Sequence, residues 1–260
     1  LKLGRNSGSI IAGVSVLVLL VMSRGLAFDT LYFGALLMTG LFLGECIEKH
    51  CGIEKTMIFT ITGVLGVSLA AFGVCAVFQA QGIGEMIQGY ISQYLELTSA
   101  LYTDMGIEKQ QIDALNAAFV VVMPGMFIVS YMTTVWLNVL IIKRLLARIG
   151  IQLKNMAALN RFRAPDSLVW AAIGLGVLLA LPVGSVKYVV INCLIILLLI
   201  YFFQGIAVIS FYFQKKESPT FLKVFCYGLI AVQIYFLILV IGLGFFDNWI
   251  NFRKLETQKK

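Results

Sequence analysis

Residues 45–51 read Glu-Cys-Ile-Glu-Lys-His-Cys, a dense grouping of metal-ligand types. On a helix, Cys46, His50 and Cys51 stand at i, i+4 and i+5, so one face could offer two thiolates and an imidazole. Glu45 or Glu48 would complete a four-ligand set. The same string closes a long apolar run, where polar side chains simply meet water, and that plainer reading is adopted: no metal is assigned. His50 is the single histidine, which excludes multi-histidine metal sites. The phosphate-binding G-x-x-x-x-G-K-[ST], the metalloprotease H-E-x-x-H and C-x-x-C are missing. The chain is therefore read as a non-enzyme with no catalytic residue and no cofactor. Any active transport would draw its energy from a partner or an ion gradient.

The second group with chemical capacity is a polar stripe. Ser130, Tyr131, Thr134 and Asn138 fall at i, i+1, i+4 and i+8 on an otherwise apolar helix. Pro124 lies on the same face, where a missing N–H can kink the helix and free a carbonyl for a ligand. Asn192, Gln204 and Gln233 add amides to two later apolar segments. Polar groups are costly in hydrocarbon and should face the bundle interior, where they either contact a ligand or staple helices together. Trp136 is one residue out of phase with the stripe and is expected to face lipid. Gly40 and Gly44 form a G-x-x-x-G, followed by Gly63 and Gly66, and Gly205 adjoins Gln204. Small residues let helices pack closely, within this chain or against another membrane subunit.

The elements that must carry these residues are long apolar runs. Of 260 residues, 60% are hydrophobic and 13% charged, with a mean hydropathy of +0.94, far from the composition of soluble domains. A helix needs about 20 apolar residues to cross a hydrocarbon core roughly 30 Å thick. The spans drawn on this basis are 9–23, 30–47, 56–79, 114–142, 167–183, 187–213 and 220–246, the first short and the sixth long enough to tilt strongly. The expected fold is all-α: a polytopic transmembrane helical bundle of about seven spans, forming one integral membrane domain over residues 1–260. Segment 80–113 differs: it is acidic, and its apolar positions recur at helical spacing. It reads as an external lid whose residues 84–99 form an amphipathic surface helix. The five cysteines are scattered and read as small core residues. Because the chain starts at Leu1, it is read as beginning partway into a longer protein.

Loop charge sets the orientation. Segment 143–166 carries Lys143, Arg144, Arg148, Lys154, Arg161 and Arg163, and reads as a basic cytoplasmic loop. Lys215, Lys216 and Lys223 then also fall inside, as do Lys2 and Arg5. One conflict remains: seven crossings push the basic tail (Arg253, Lys254, Lys259, Lys260) outside. Either the tail is an exception, or one segment, such as 9–23 or 187–213, is not a simple crossing. The net charge of +7 sits at helix ends and faces anionic head groups, so the partner is the lipid bilayer and not nucleic acid.

Several strings together resemble one family. They are Met123-Pro124-Gly125; the run from Asn160-Arg161-Phe162-Arg163-Ala164-Pro165 through Asp166 to Trp170; Tyr188 through Asn192; Phe203-Gln204-Gly205 through Ile209; and Gly242 through Asp247 with Asn251-Phe252-Arg253. In order and spacing they resemble the bacterial membrane family called YybS, or DUF2232, whose members usually carry further hydrophobic residues before the equivalent of Leu1. The resemblance implies a distant relation to the substrate-binding S components of energy-coupling factor transporters, which bind vitamins or metals while partner proteins hydrolyse ATP. The resulting expectation is a component of a small-molecule transporter in the bacterial inner (cytoplasmic) membrane. Its ligand would lie between segments 114–142, 187–213 and 220–246, held by Ser130, Tyr131, Thr134, Asn138, Asn192, Gln204 and Gln233. Gly40, Gly44, Pro124 and Gly205 are assigned to packing or docking. The alternative is a non-transporting scaffold or assembly subunit that engages other membrane proteins. In the bland reading of the family strings, Asp247 and Arg253 are charges at a membrane boundary and Trp170 is an interfacial anchor.

Overall fold

Long uncharged runs without proline satisfy their backbone groups internally, and helices result. The computed structural model describes residues 28–49, 51–78, 83–148, 150, 159–182 and 184–253, with positions 10, 11, 13–15 and 18 near the start. The described residues form helices α1 (Phe28–Glu48), α2 (Ile53–Phe78), α3 (Ile83–Asp104), α4 (Lys109–Arg148), α5 (Ser167–Ala180), α6 (Val186–Lys215), α7 (Thr220–Val232) and α8 (Ile234–Ile250), plus a 3-10 turn at Leu159–Arg161. No strand occurs among them. Segment 9–23, Lys2, Arg5, His50, Lys154 and Lys254 onward lie mostly or wholly outside the described residues.

Two helices are long and apolar enough to cross a membrane, α4 with 40 residues and α6 with 30. At 1.5 Å per residue they measure about 60 and 45 Å. The count among described residues is three if α7 and α8 together make one span. That pair corrects an expectation: segment 220–246 is not one straight helix but two, bent by 104° at Gln233, whose backbone is extended (φ −107, ψ 115). Nothing in the local sequence besides this lone amide explains the break. Segment 167–183 holds a 14-residue helix, α5, about 21 Å long; with α6 it runs out and back, since Asn160 before α5 meets Gln214 near the end of α6.

The chain divides into two compact units. The first comprises residues 1–120 and 131–156. Here α1 and α2 form a hairpin whose interior holds Leu43 and Val64, and Gly63 lets the Phe42 ring approach to 3.0 Å of where a Cβ would stand. The amphipathic segment is helical over α3, longer than the expected 84–99. Gly106 (φ 79) reverses the chain after it, so that Tyr94 stacks on Phe119 (5.1 Å between centroids) and Asn116 donates to Ser99 Oγ at 3.1 Å.

The second unit comprises residues 121–130 and 157–260. Its axis is the packing of α6 on α8. A Cβ on Gly205 would collide with the Val240 carbonyl, and one on Gly244 with the Tyr201 carbonyl. The backbones therefore touch, which only glycine permits. Tyr201, Ala164 and Val169 form a buried cluster beside this crossing, and the Tyr201 ring meets Phe245 edge-on at 5.1 Å.

Candidate functional site

In the second unit, the polar residues converge on one end of α6 and α8. Gln204 is fully buried at 0% exposure, and its amide is used on both sides. Oε1 accepts the Ala164 N–H at 3.0 Å, while Nε2 donates to Asp247 Oδ2 at 3.2 Å and Asn248 Oδ1 at 2.9 Å. Asp247 Oδ2 also accepts from Arg253 Nη2 at 2.6 Å, with side-chain exposures of 0% for the arginine and 2% for the aspartate. Arg253 Nη1 donates to the carbonyls of Asn160 and Phe162, both at 2.9 Å. Arg163 meets the Asp166 carboxylate at 3.1 Å and the Asn248 carbonyl at 3.2 Å.

Local structure makes this possible. Asn251 caps α8 in the left-handed conformation (φ 46), a geometry asparagine tolerates better than most residues. The chain then turns back, so Arg253 reaches Asp247, and Tyr212 OH donates to the Phe252 carbonyl at 2.9 Å. The boundary-charge reading of Asp247 and Arg253 is thus corrected: both are interior, and the loop that ends in Pro165 folds over them. Charges shielded from water persist only when paired and hydrogen-bonded. The pairing is partial, because Asp247 Oδ1, Arg253 Nε, Asn248 Nδ2 and Tyr201 OH have no partner among the described residues. Trp170, by contrast, is exposed as an anchor would be.

Asn192 performs a different task in the same unit. Its Nδ2 donates to the Val121 carbonyl at 2.8 Å and the Tyr188 carbonyl at 2.7 Å, and its Oδ1 accepts the Gly125 N–H. Val121 O and Gly125 N–H are each other's partners in a regular helix. The carboxamide therefore bonds both groups of this pair, at the turn where Pro124 already lacks a donor. Gly125 is required, since a Cβ there would lie 2.7 Å from Asn192 Oδ1.

The α4 stripe divides. Tyr131 and Val135 are buried in the first unit, Thr134 and Asn138 are half-buried, and Ser130, which belongs to the second unit, is exposed. Tyr131 OH and Thr39 Oγ1 share a hydrogen bond at 2.6 Å. The Thr39 proton goes to the Ala35 carbonyl at 2.8 Å, so the tyrosine is the donor. Asn138 Nδ2 turns back to the Thr134 carbonyl at 2.9 Å. Thr56 and Thr60, which the polar stripe did not include, are both at 0% exposure. Thr56 donates to the Gly52 carbonyl at 3.0 Å, whereas Thr60 Oγ1 has no partner among the described residues. Their i, i+4 spacing on α2 was the available signal. Trp136 is 6% exposed, which corrects the expectation that it faces lipid.

Other assignments fall as follows. Gln233 is exposed at the α7–α8 break, and a Cβ at Gly40 or Gly44 would meet nothing within 4 Å. Close backbone approach occurs at Gly205 and Gly244 instead. Glu45 pairs with Lys49 at 2.9 Å, and among the described residues no three metal-ligand side chains converge. Tyr131, Thr134 and Asn138 belong to the first unit, and Asn192, Gln204 and Gln233 to the second.

Membrane-length apolar helices, with an interior whose polar groups bond mainly to backbone and to one another, define an α-helical membrane protein. The chain belongs to the DUF2232 family, described as predicted membrane proteins, whose model matches residues 1–248. Comparison with curated proteins and with solved structures finds no match.

Proposed function

We propose that this protein is the non-enzymatic binding component of a small-molecule transporter in the bacterial inner membrane. In this reading the second unit is a rigid frame, and the solute is handled by the hydroxyl-lined interior of the first. The observation that carries it is the set Thr39, Thr56, Thr60 and Tyr131 buried among apolar side chains, with the Thr60 hydroxyl lacking a partner among the described residues. Hydroxyls in such a place cost free energy unless something bonds them, and a small neutral or weakly polar solute suits them better than an ion. Thr134 and Asn138 continue the polar line along α4. In this reading an ATP-hydrolysing partner supplies the energy, because the chain has no phosphate-binding loop of its own.

The test is native mass spectrometry of the protein released from its own membrane in mild detergent. A reproducible small-molecule adduct, lost in Tyr131→Phe with Thr39→Val while the protein still folds, is the expected result. A chain without adduct, held to another membrane protein in fixed ratio, would overturn it in favour of a scaffold subunit. One observation favours that second reading: among the described residues nothing lies within 4 Å of a Cβ at Gly40 or Gly44, as on a docking face for a partner helix.

A further inference from the structure

The positions of the two ends of the α7–α8 pair decide how this segment meets the membrane. The pair begins just after α6, whose end turns sharply: Glu217 adopts a left-handed φ of 47, and the Ser218 N–H bonds the Phe213 carbonyl at 3.1 Å. The pair ends at Asn251–Arg253. These two places are side by side. Tyr212, near the end of α6, bonds the carbonyl of Phe252, and Asn160 Nδ2 bonds Gln214 while its carbonyl accepts Arg253. Entry and exit therefore lie at the same end of the second unit, the end closed by the 159–166 loop. Between them the chain turns by 104° at Gln233.

Length agrees. With 13 and 17 residues, α7 and α8 measure about 20 and 25 Å, each short of a 30 Å hydrocarbon core. A segment that crossed once would instead have its two ends on opposite faces.

We propose that α7 and α8 form a re-entrant elbow, which dips into the membrane and returns to the face it left. This returns the chain at Arg253 to the cytoplasmic face, the face that loop charge assigns to Arg161, Arg163, Lys215, Lys216 and Lys223. The charge conflict in the sequence then disappears: the basic tail obeys the positive-inside bias, and the segment that fails to cross is 220–246 rather than 9–23 or 187–213. Cations on this side suit the anionic head groups of the cytoplasmic leaflet. The elbow does not depend on the transport reading.

The experiment uses the unmodified protein in sealed membrane vesicles of both orientations, treated with a membrane-impermeant amine reagent and read by peptide mass spectrometry. Peptides bearing Lys215, Lys216 or Lys223 and peptides bearing Lys254, Lys259 or Lys260 should be labelled together, in inside-out vesicles only. Labelling of the two sets from opposite faces overturns the elbow. Labelling of both only in right-side-out vesicles overturns the cytoplasmic assignment. A membrane-permeant reagent of the same chemistry establishes that each lysine is reactive.

Discussion

Arg253 Nη2 lies 2.6 Å from Asp247 Oδ2, and neither side chain reaches solvent. The pair joins the end of α8 to the 159–166 loop through the Asn160 and Phe162 carbonyls, and to α6 through Gln204. Removing one partner of such a pair strands a charge and costs about 3–5 kcal/mol, whereas replacing both by apolar residues is often far less harmful. Arg253→Met and Asp247→Leu should each lower the midpoint of thermal unfolding in detergent by many degrees. The double variant should recover a substantial part of the loss. Additive losses in this cycle would show that the two side chains act separately.

At the α6–α8 crossing, Gly205→Ala and Gly244→Ala should each be destabilising by at least the roughly 1–3 kcal/mol typical of overpacking. The obstacle in each case is a carbonyl of the facing backbone, which cannot rotate away. Gly40→Ala and Gly44→Ala, at positions open to their surroundings, should leave thermal stability nearly unchanged. Equal effects at the two pairs would remove the close-approach argument.

For Asn192, loss of the amide gives Gly125 back its helical partner. Asn192→Leu combined with Pro124→Ala should therefore complete the helical bonds around Val121–Gly125, with hydrogen exchange at the Gly125 amide different from that in Pro124→Ala alone. Unchanged exchange between these two would mean that the Asn192 amide does not compete for the helical bond.

Thr60 permits a sharper distinction. A buried hydroxyl without a partner costs about 1–3 kcal/mol, so Thr60→Val should leave the unliganded protein as stable or more so. In the proposed binding site the same substitution should weaken solute binding severalfold, measured by adduct occupancy in native mass spectrometry. A clear fall in the stability of the unliganded protein would instead identify Thr60 as a bonded part of the core.

Much of the architecture was legible in the sequence because hydrophobic run length is a local property. Five of the expected segments coincide with α1, α2, α4, α5 and α6 to within a few residues, apart from the longer ends of α4. Gln204 with Gly205 was recognisable as an amide beside a gap. The gap receives α8, which no local pattern announces. The break at Gln233 was hidden because the surrounding run contains no proline and keeps its apolar character on both sides. Asp247 and Arg253 looked like boundary charges because their burial depends on a loop that lies about ninety positions earlier in the chain. Trp136 and the open Gly40–Gly44 face show the same limit, since periodicity identifies a face but not what covers it.

The two glycines at the crossing of α6 and α8 also restrict how this half of the molecule can move. Each fits against one particular carbonyl of the facing helix, in the manner of a tooth in a notch. A slip of one helical turn, about 5.4 Å, would drive side chains such as Tyr201 or Val240 into the opposing backbone. Sliding is thereby blocked, and α6 and α8 must travel as a single strut. Any bending in this half is left to the places where a helical bond is already missing, the break at Gln233 and the turn at Pro124.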